Sequence, residues 1–205
     1  MIMTTLLEIP LRDAAPSVIQ NLRDKYPQAT LRIEAENSLH AGGMDEEQFW
    51  AIIDLLDWKS RDSDKILAPA VSALSQFSKA DIADFHDILA QKLYALDGRR
   101  FAEQLGSNRY SASGDKHFSV DGFLYARCCV VANGRDFYEK VLQDPTKMPK
   151  EFTFESLLYL PHEAYKLKTG RADYDHIPEV WYETFSNPEG WPGVTPLKDR
   201  ILSLQ

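Results

Sequence analysis

The sequence predicts a mainly α protein: a single helical domain with a small N-terminal β-α-β extension. Three observations predict it. From residue 45 onward, apolar residues recur at helical spacing. Helix-start signals stand in front of several of those runs. Before residue 44 the pattern is different, and the stretch TLRIEAE at 30–36 alternates apolar and polar side chains as a half-buried strand does. The boundary is placed at the Gly42-Gly43 pair, giving an extension over 1–43 and a helical domain over 44–205.

Within the extension, residues 4–11 read as a strand, 16–26 as a helix with Val18, Ile19 and Leu22 on one side, and 30–36 as the second strand. Two strands alone are marginal in water, so the unit needs further strands or the helical body beside it. In the body, Asp45, Glu46 and Glu47 crowd a first helical turn, where the positive dipole end favours acids. Phe49, Ile52, Ile53 and Leu56 follow on one face, and Trp58 ends the segment. Asp62 or Asp64 caps a second helix, with Pro69 predicting a late start or a kink inside it. Ser78 and Asp81 have capping-box spacing before a helix that runs to about Asp97. Residues 106–116, rich in Gly and Ser, read as a mobile surface loop. A helix over 121–132 follows, with Asn133-Gly134 as a left-handed cap, then a shorter helix from Arg135 stopped before Pro145. Pro161 splits the helical run after Phe154 into two pieces, and Gly170 stops it. From Tyr174 the chain mixes aromatic residues with Pro and Gly; it is too apolar to be loose and is expected to wrap over the helices.

The chain has 205 residues, 44% of them hydrophobic, enough for a real core. Its net charge of -8 argues against a nucleic-acid partner, which needs a basic stripe to displace counterions, and against an anionic membrane surface. Residues 45–103 hold twelve acidic and seven basic side chains, a solvated helical surface or a docking face for a basic protein. The two cysteines are the neighbours Cys128 and Cys129, so no disulfide framework exists. With no signal peptide and no long apolar run in the sequence, a cytoplasmic location is expected.

Arg127 is the sharpest candidate residue. It lies in YARCCVVANGR, an almost wholly apolar helical run. A buried guanidinium is costly unless paired, so a carboxylate or a bound anion should lie against it. Two readings stay open: an ion pair with an acid from another helix, or an anion-binding arginine at the base of a cleft, with Tyr138, Tyr182 and Glu183 as neighbours. Arg135 stands two helical turns on, either cooperating or exposed at the surface. Asn133 begins the short connection whose following amides could suit an anion. Trp191 either plugs the core edge or lines a pocket with Tyr182 and Arg127.

The five histidines, His40, His86, His117, His162 and His176, show no ligand spacing, and His86 with Asp84 and Asp87 reads as a helix surface. No metal or cofactor is expected: the chain lacks a Gly-rich phosphate loop and a G-x-S-x-G elbow. No catalytic residue is assigned, and Cys128 and Cys129 read as small core hydrophobes.

The segments MDEEQFWAIIDLL, LAQKLYALD, DGFLYARCCVVANGRDFYEKVLQDPTKMPK, FESLLYLPHEAYKLKTG and YETFSNPEGWP together resemble the bacterial domain-of-unknown-function 4240 family over about 44–192. The matching positions are Phe49, Trp50, Asp54, Arg127, Asn133, Gly134, Arg135, Tyr138, Tyr182, Glu183 and Trp191. The resemblance implies a small, cytoplasmic, mainly helical domain and no activity. Residues 1–43 and the 106–118 loop lie outside it, which leaves the extension for something particular to this chain, such as homodimerisation. The expected function is a protein-interaction module without catalysis, in its most concrete form an immunity-type protein masking a basic partner. The alternative is a small-anion binder or enzyme built on Arg127.

Overall fold

The computed structural model describes residues 16–27, 43–114 and 117–195, and the chain divides into two compact units, Met1–Glu36 and Asn37–Gln205. In the first unit the described element is α1 (Pro16–Lys25). It starts on a proline, whose fixed φ and missing N–H suit a first helical position. Gln20 Nε2 donates to Asp24 Oδ1 one turn on, at 2.9 Å.

Among the described residues there is no β-strand, which corrects the β-α-β extension. Its helix stands as α1; the two strand segments, 4–11 and 30–36, lie outside the described residues. Alternation such as TLRIEAE suits a strand only where other strands complete a sheet, and the described residues offer none.

The second unit contains α2 (Glu46–Ile53), α3 (Ser63–Leu74), α4 (Lys79–Ala95), α5 (Arg99–Ala102), α6 (Val120–Ala132), α7 (Arg135–Gln143) and α8 (Leu160–Thr169), with single 3₁₀ turns at Pro145–Lys147 and Glu155–Tyr159. Local chemistry sets most of the boundaries. Asp45 and Gln48 form a reciprocal capping box on α2, and Ser78 and Asp81 form one on α4. Asp62 caps α3 through the amides of Asp64 and Lys65. Pro69 lies within α3 on its exposed side, where the carbonyl it releases can meet water. Gly134 joins α6 to α7 at φ 85 and ψ 172, a glycine conformation that is more extended than a left-handed cap. The four-residue α5 is too short to give a readable period.

Helix α6 is the axis of the core. Nine of its thirteen residues, Phe123, Leu124 and Ala126–Ala132, are buried, and beyond its first turn it has no polar stripe. It packs on α4, α7 and the Glu155–Tyr159 turn, while α8 packs on α3 and α4, and α2 on α3 and α4. The 106–116 loop is tied down at its start: Gly106 N donates to Lys150 O at 2.8 Å, and Tyr110 N to Ala102 O at 3.0 Å.

After α8 the chain has no further helix among the described residues and closes over α4 and α6 through side chains. One crossing is backbone on backbone. Arg99 N donates to Gly190 O at 2.8 Å, and a Cβ on Gly190 would stand 2.1 Å from Asp97 O. Gly190→Ala is therefore expected to lower stability by about 2–3 kcal/mol, read as a fall in the urea midpoint, because neither backbone can yield cheaply.

Candidate functional site

Arg127 is fully enclosed, with 0% of its surface exposed. Its partners are neutral. Nη1 donates to Leu93 O at 2.9 Å and to Tyr182 O at 2.8 Å, and Nη2 donates to Thr184 Oγ1 at 3.1 Å. The guanidinium lies over the Phe123 ring, 4.8 Å from its centroid. Among the described residues no carboxylate is hydrogen-bonded to it, and Nε has no partner. The acid partner expected from the sequence is thus replaced by two carbonyls and a hydroxyl. Burial lowers the pKa of this arginine, while the field of nearby Asp97 opposes the shift. Thr184 passes the contact on, donating to Val120 O at 2.8 Å. Arg127 thereby ties α4, α6 and the tail together.

Asp97, which the sequence reading used only as a helix end, is the second anchor. It is also 0% exposed. Its carboxylate accepts from the backbone of Phe185 at 3.3 Å, Ser186 at 2.8 Å and Asn187 at 3.0 Å, and from Trp191 Nε1 at 2.8 Å. Phe185 sits at φ 74, an uncommon value for a side chain of its size. Trp191 is enclosed by Phe185, Tyr110, Phe123 and Phe118 at centroid distances of 4.6 to 6.3 Å. A signal for Asp97 was present in the sequence: an acid at a helix C-terminus opposes the macrodipole and needs another reason to be there.

Of the other candidates, Tyr138, Arg135 and Asn133 separate from Arg127. Tyr138 is buried on α7, its hydroxyl 3.4 Å from Lys92 O and its pKa raised by burial. Its ring lies 5.3 Å from Trp50, and Lys92 Nζ stands over both rings while pairing with Glu46 at 2.7 Å. Arg135 is at the surface and pairs with Glu47 and Glu139. Asn133 donates to Cys129 O at 2.7 Å and lines a groove of about 410 Å³ with Trp58, Phe137 and Phe152. Burial pushes the Cys128 thiol up to about 12 and also raises Cys129, so neither is a ready thiolate.

Tyr182 and Glu183 border a different cleft, of about 530 Å³, between α6, α8 and the tail. Tyr125, Tyr159, Tyr174 and Tyr182 contribute rings to it. Asp121, Glu155, Glu163 and Glu183 contribute carboxylates, against Lys166 as the single ammonium or guanidinium among the described lining residues. Lys166 lies 3.5 Å from Glu163, and Tyr159 donates to Glu155 at 3.0 Å. Asp121 and Glu183 have no hydrogen bond or ion pair on their carboxylates among the described residues. Partial enclosure raises the Glu183 pKa; Arg127 opposes the shift and Asp121 adds to it. Burial pushes Tyr182 up to about 12.

The histidines behave differently from the surface reading. His86 is 5% exposed and stands beside His162, Tyr174 and His176. Local sequence shows only its own helix, and the neighbours arrive from 76 to 90 positions away. No group of His, Cys, Asp and Glu fit to hold a metal occurs among the described residues.

A family of proteins described as "Protein of unknown function (DUF4240)" matches the sequence over residues 44–167, more than half of the chain. The chain belongs to this family. No curated protein and no solved structure matches it.

The DUF4240 match covers α2 through most of α8 and includes Arg127, Asn133, Arg135 and Tyr138. It ends before Tyr182, Glu183 and Trp191, which the sequence resemblance had included. The Arg127 anchor thus lies inside the match and its tail partners outside it. No helix among the described residues is long and apolar enough to cross a membrane.

Proposed function

We propose that this DUF4240 protein is a protein-interaction module that receives a cationic segment of a basic partner in the cleft bordered by Tyr182 and Glu183. The observation that carries this reading is the cleft's lining: four tyrosine rings and four carboxylates against one lysine, two of the carboxylates without a partner among the described residues. Aromatic faces attract a guanidinium or ammonium through the ring quadrupole, and unpaired carboxylates add charge-assisted hydrogen bonds. An immunity-type role, in which the module masks a basic protein, is one concrete form.

An anion seated on Arg127 is the weaker reading. The guanidinium is enclosed, and its Nη groups already hold Leu93, Tyr182 and Thr184. The test compares wild type with Glu155→Gln/Glu183→Gln in capture from the source lysate at low and high salt. Basic proteins retained by the wild type should bind the variant about tenfold more weakly and release in high salt. An identical captured set with the same salt response for both proteins would refute the cleft as the site.

A further inference from the structure

His86 on α4, His162 on α8 and His176 on the tail converge on Tyr174. The His86 ring centroid is 6.0 Å from His162, 5.7 Å from His176 and 5.8 Å from Tyr174. His86 Nδ1 is 3.3 Å from the Tyr174 hydroxyl, and the His162 and Tyr174 rings are 4.7 Å apart. His176 Nε2 lies 3.1 Å from Asp87 Oδ1, close enough for an ion pair but without hydrogen-bond geometry. These side chains are a main point where the tail beyond α8 meets α4 and α8. His162 and Tyr174 also line the acidic cleft.

Around the cluster, α4 supplies Asp87, which also accepts from Glu179 N at 3.1 Å. Helix α8 supplies His162 with Glu163 beside it, and Glu163 is paired with Lys166. The tail supplies Tyr174, Asp175, His176 and Tyr182. Asp87 is positioned to balance one imidazolium, at His176. The field of Asp87 also favours a proton on His86, but among the described residues no carboxylate is hydrogen-bonded or ion-paired to this ring, whose neighbours are two further imidazoles and two phenols.

We propose that this cluster is an acid-operated latch: protonation of His86 and His162 releases residues 171–180 from α4 and α8 and removes one wall of the cleft. The control of ligand binding rests on the cation reading of the cleft; the opening step does not. Opening would also bring imidazolium charge to the rim where a cationic segment sits.

The direction of the pH response follows from His86. Burial, with His162 and His176 adding to it, lowers its pKa from 6.5 to about 4, and burial lowers His162 as well. The closed form therefore binds fewer protons than the open form. The latch holds fully above pH 6.5 and weakens as the pH falls from 6.5 towards 4. His86 alone makes the opening constant rise roughly twentyfold between about pH 7 and pH 5.

The test is hydrogen exchange of the Glu179 amide, which donates to Asp87 Oδ1 across to α4, in the full chain between about pH 7.5 and 5, corrected for the intrinsic pH dependence of exchange. Protection should fall by about that factor in the wild type and by clearly less in His86→Phe, where His162 still responds. His176→Asn, at a less enclosed position, is the second variant and should shift the fall if His86→Phe does not fold. Unchanged wild-type protection, or an equal fall in a folded His86→Phe, would overturn the latch. Binding of an oligo-arginine peptide, measured in parallel, separates the two proposals. Binding at pH 7.5 with constant protection keeps the cleft and sinks the latch. Acid opening with no peptide binding at any pH keeps the latch and sinks the cation site.

Discussion

Asp97→Ala is expected to destabilise the protein by about 4 kcal/mol. The carboxylate accepts three backbone amides and one indole N–H, all from residues 185–191. Hydrogen bonds to a charged group contribute about 1.5–3 kcal/mol each, and a buried donor left unpaired costs about 1–3 kcal/mol. The simple sum is an upper bound, because the tail can loosen and rehydrate. Asp97→Asn separates charge from shape. Its amide keeps one oxygen acceptor and sets an N–H₂ against other donors, so about 2–3 kcal/mol should be lost. Urea unfolding measures both. Trp191, 1% exposed in the folded chain, should show red-shifted emission in Asp97→Ala before the helices melt. An unchanged midpoint and spectrum would mean that Asp97 does not hold the tail.

Arg127→Ala is expected to cost a similar amount, about 4 kcal/mol, by a different route. It strands Leu93 O, Tyr182 O and Thr184 Oγ1 and leaves a cavity in a fully enclosed site. Arg127→Met should cost less, about 1–2 kcal/mol, because it fills the volume and removes a cation that burial already disfavours. The contrast is the informative quantity. Equal urea midpoints for the two variants would show that packing volume at this site is irrelevant. A midpoint of Arg127→Ala equal to wild type would show that the guanidinium does not hold the tail.

These two residues also show what could be read in advance. Arg127 announced itself because a cation inside an apolar helical period is costly wherever that helix is buried. Its partners did not, because carbonyls are present at every residue and carry no sequence signal. The reading reached for an acid, the partner with a visible letter. Asp97 was visible as a letter but had no local explanation, and the donors it holds lie 88 to 94 positions later. The histidine cluster was hidden in the same way, since spacing along one helix says nothing about rings brought from α8 and the tail. The strand reading of 1–43 erred in the opposite direction: alternation is a local pattern, whereas a strand needs partners.

The sequence by itself determined the helical body and most of its boundaries. Caps at Asp45, Asp62 and Ser78, breaks at Gly134, Pro161 and Gly170, and the apolar period act over three or four residues, within reach of local reading. Only the tertiary structure decided that the tail closes on Asp97 and Arg127, that His86 is buried among two other histidines, and that four carboxylates and four tyrosines face one cleft. The physical reason is range. Capping and periodicity are set by neighbours along the chain, while hydrogen bonds to buried charges and the sharing of a cleft depend on which distant segments the packed core brings together.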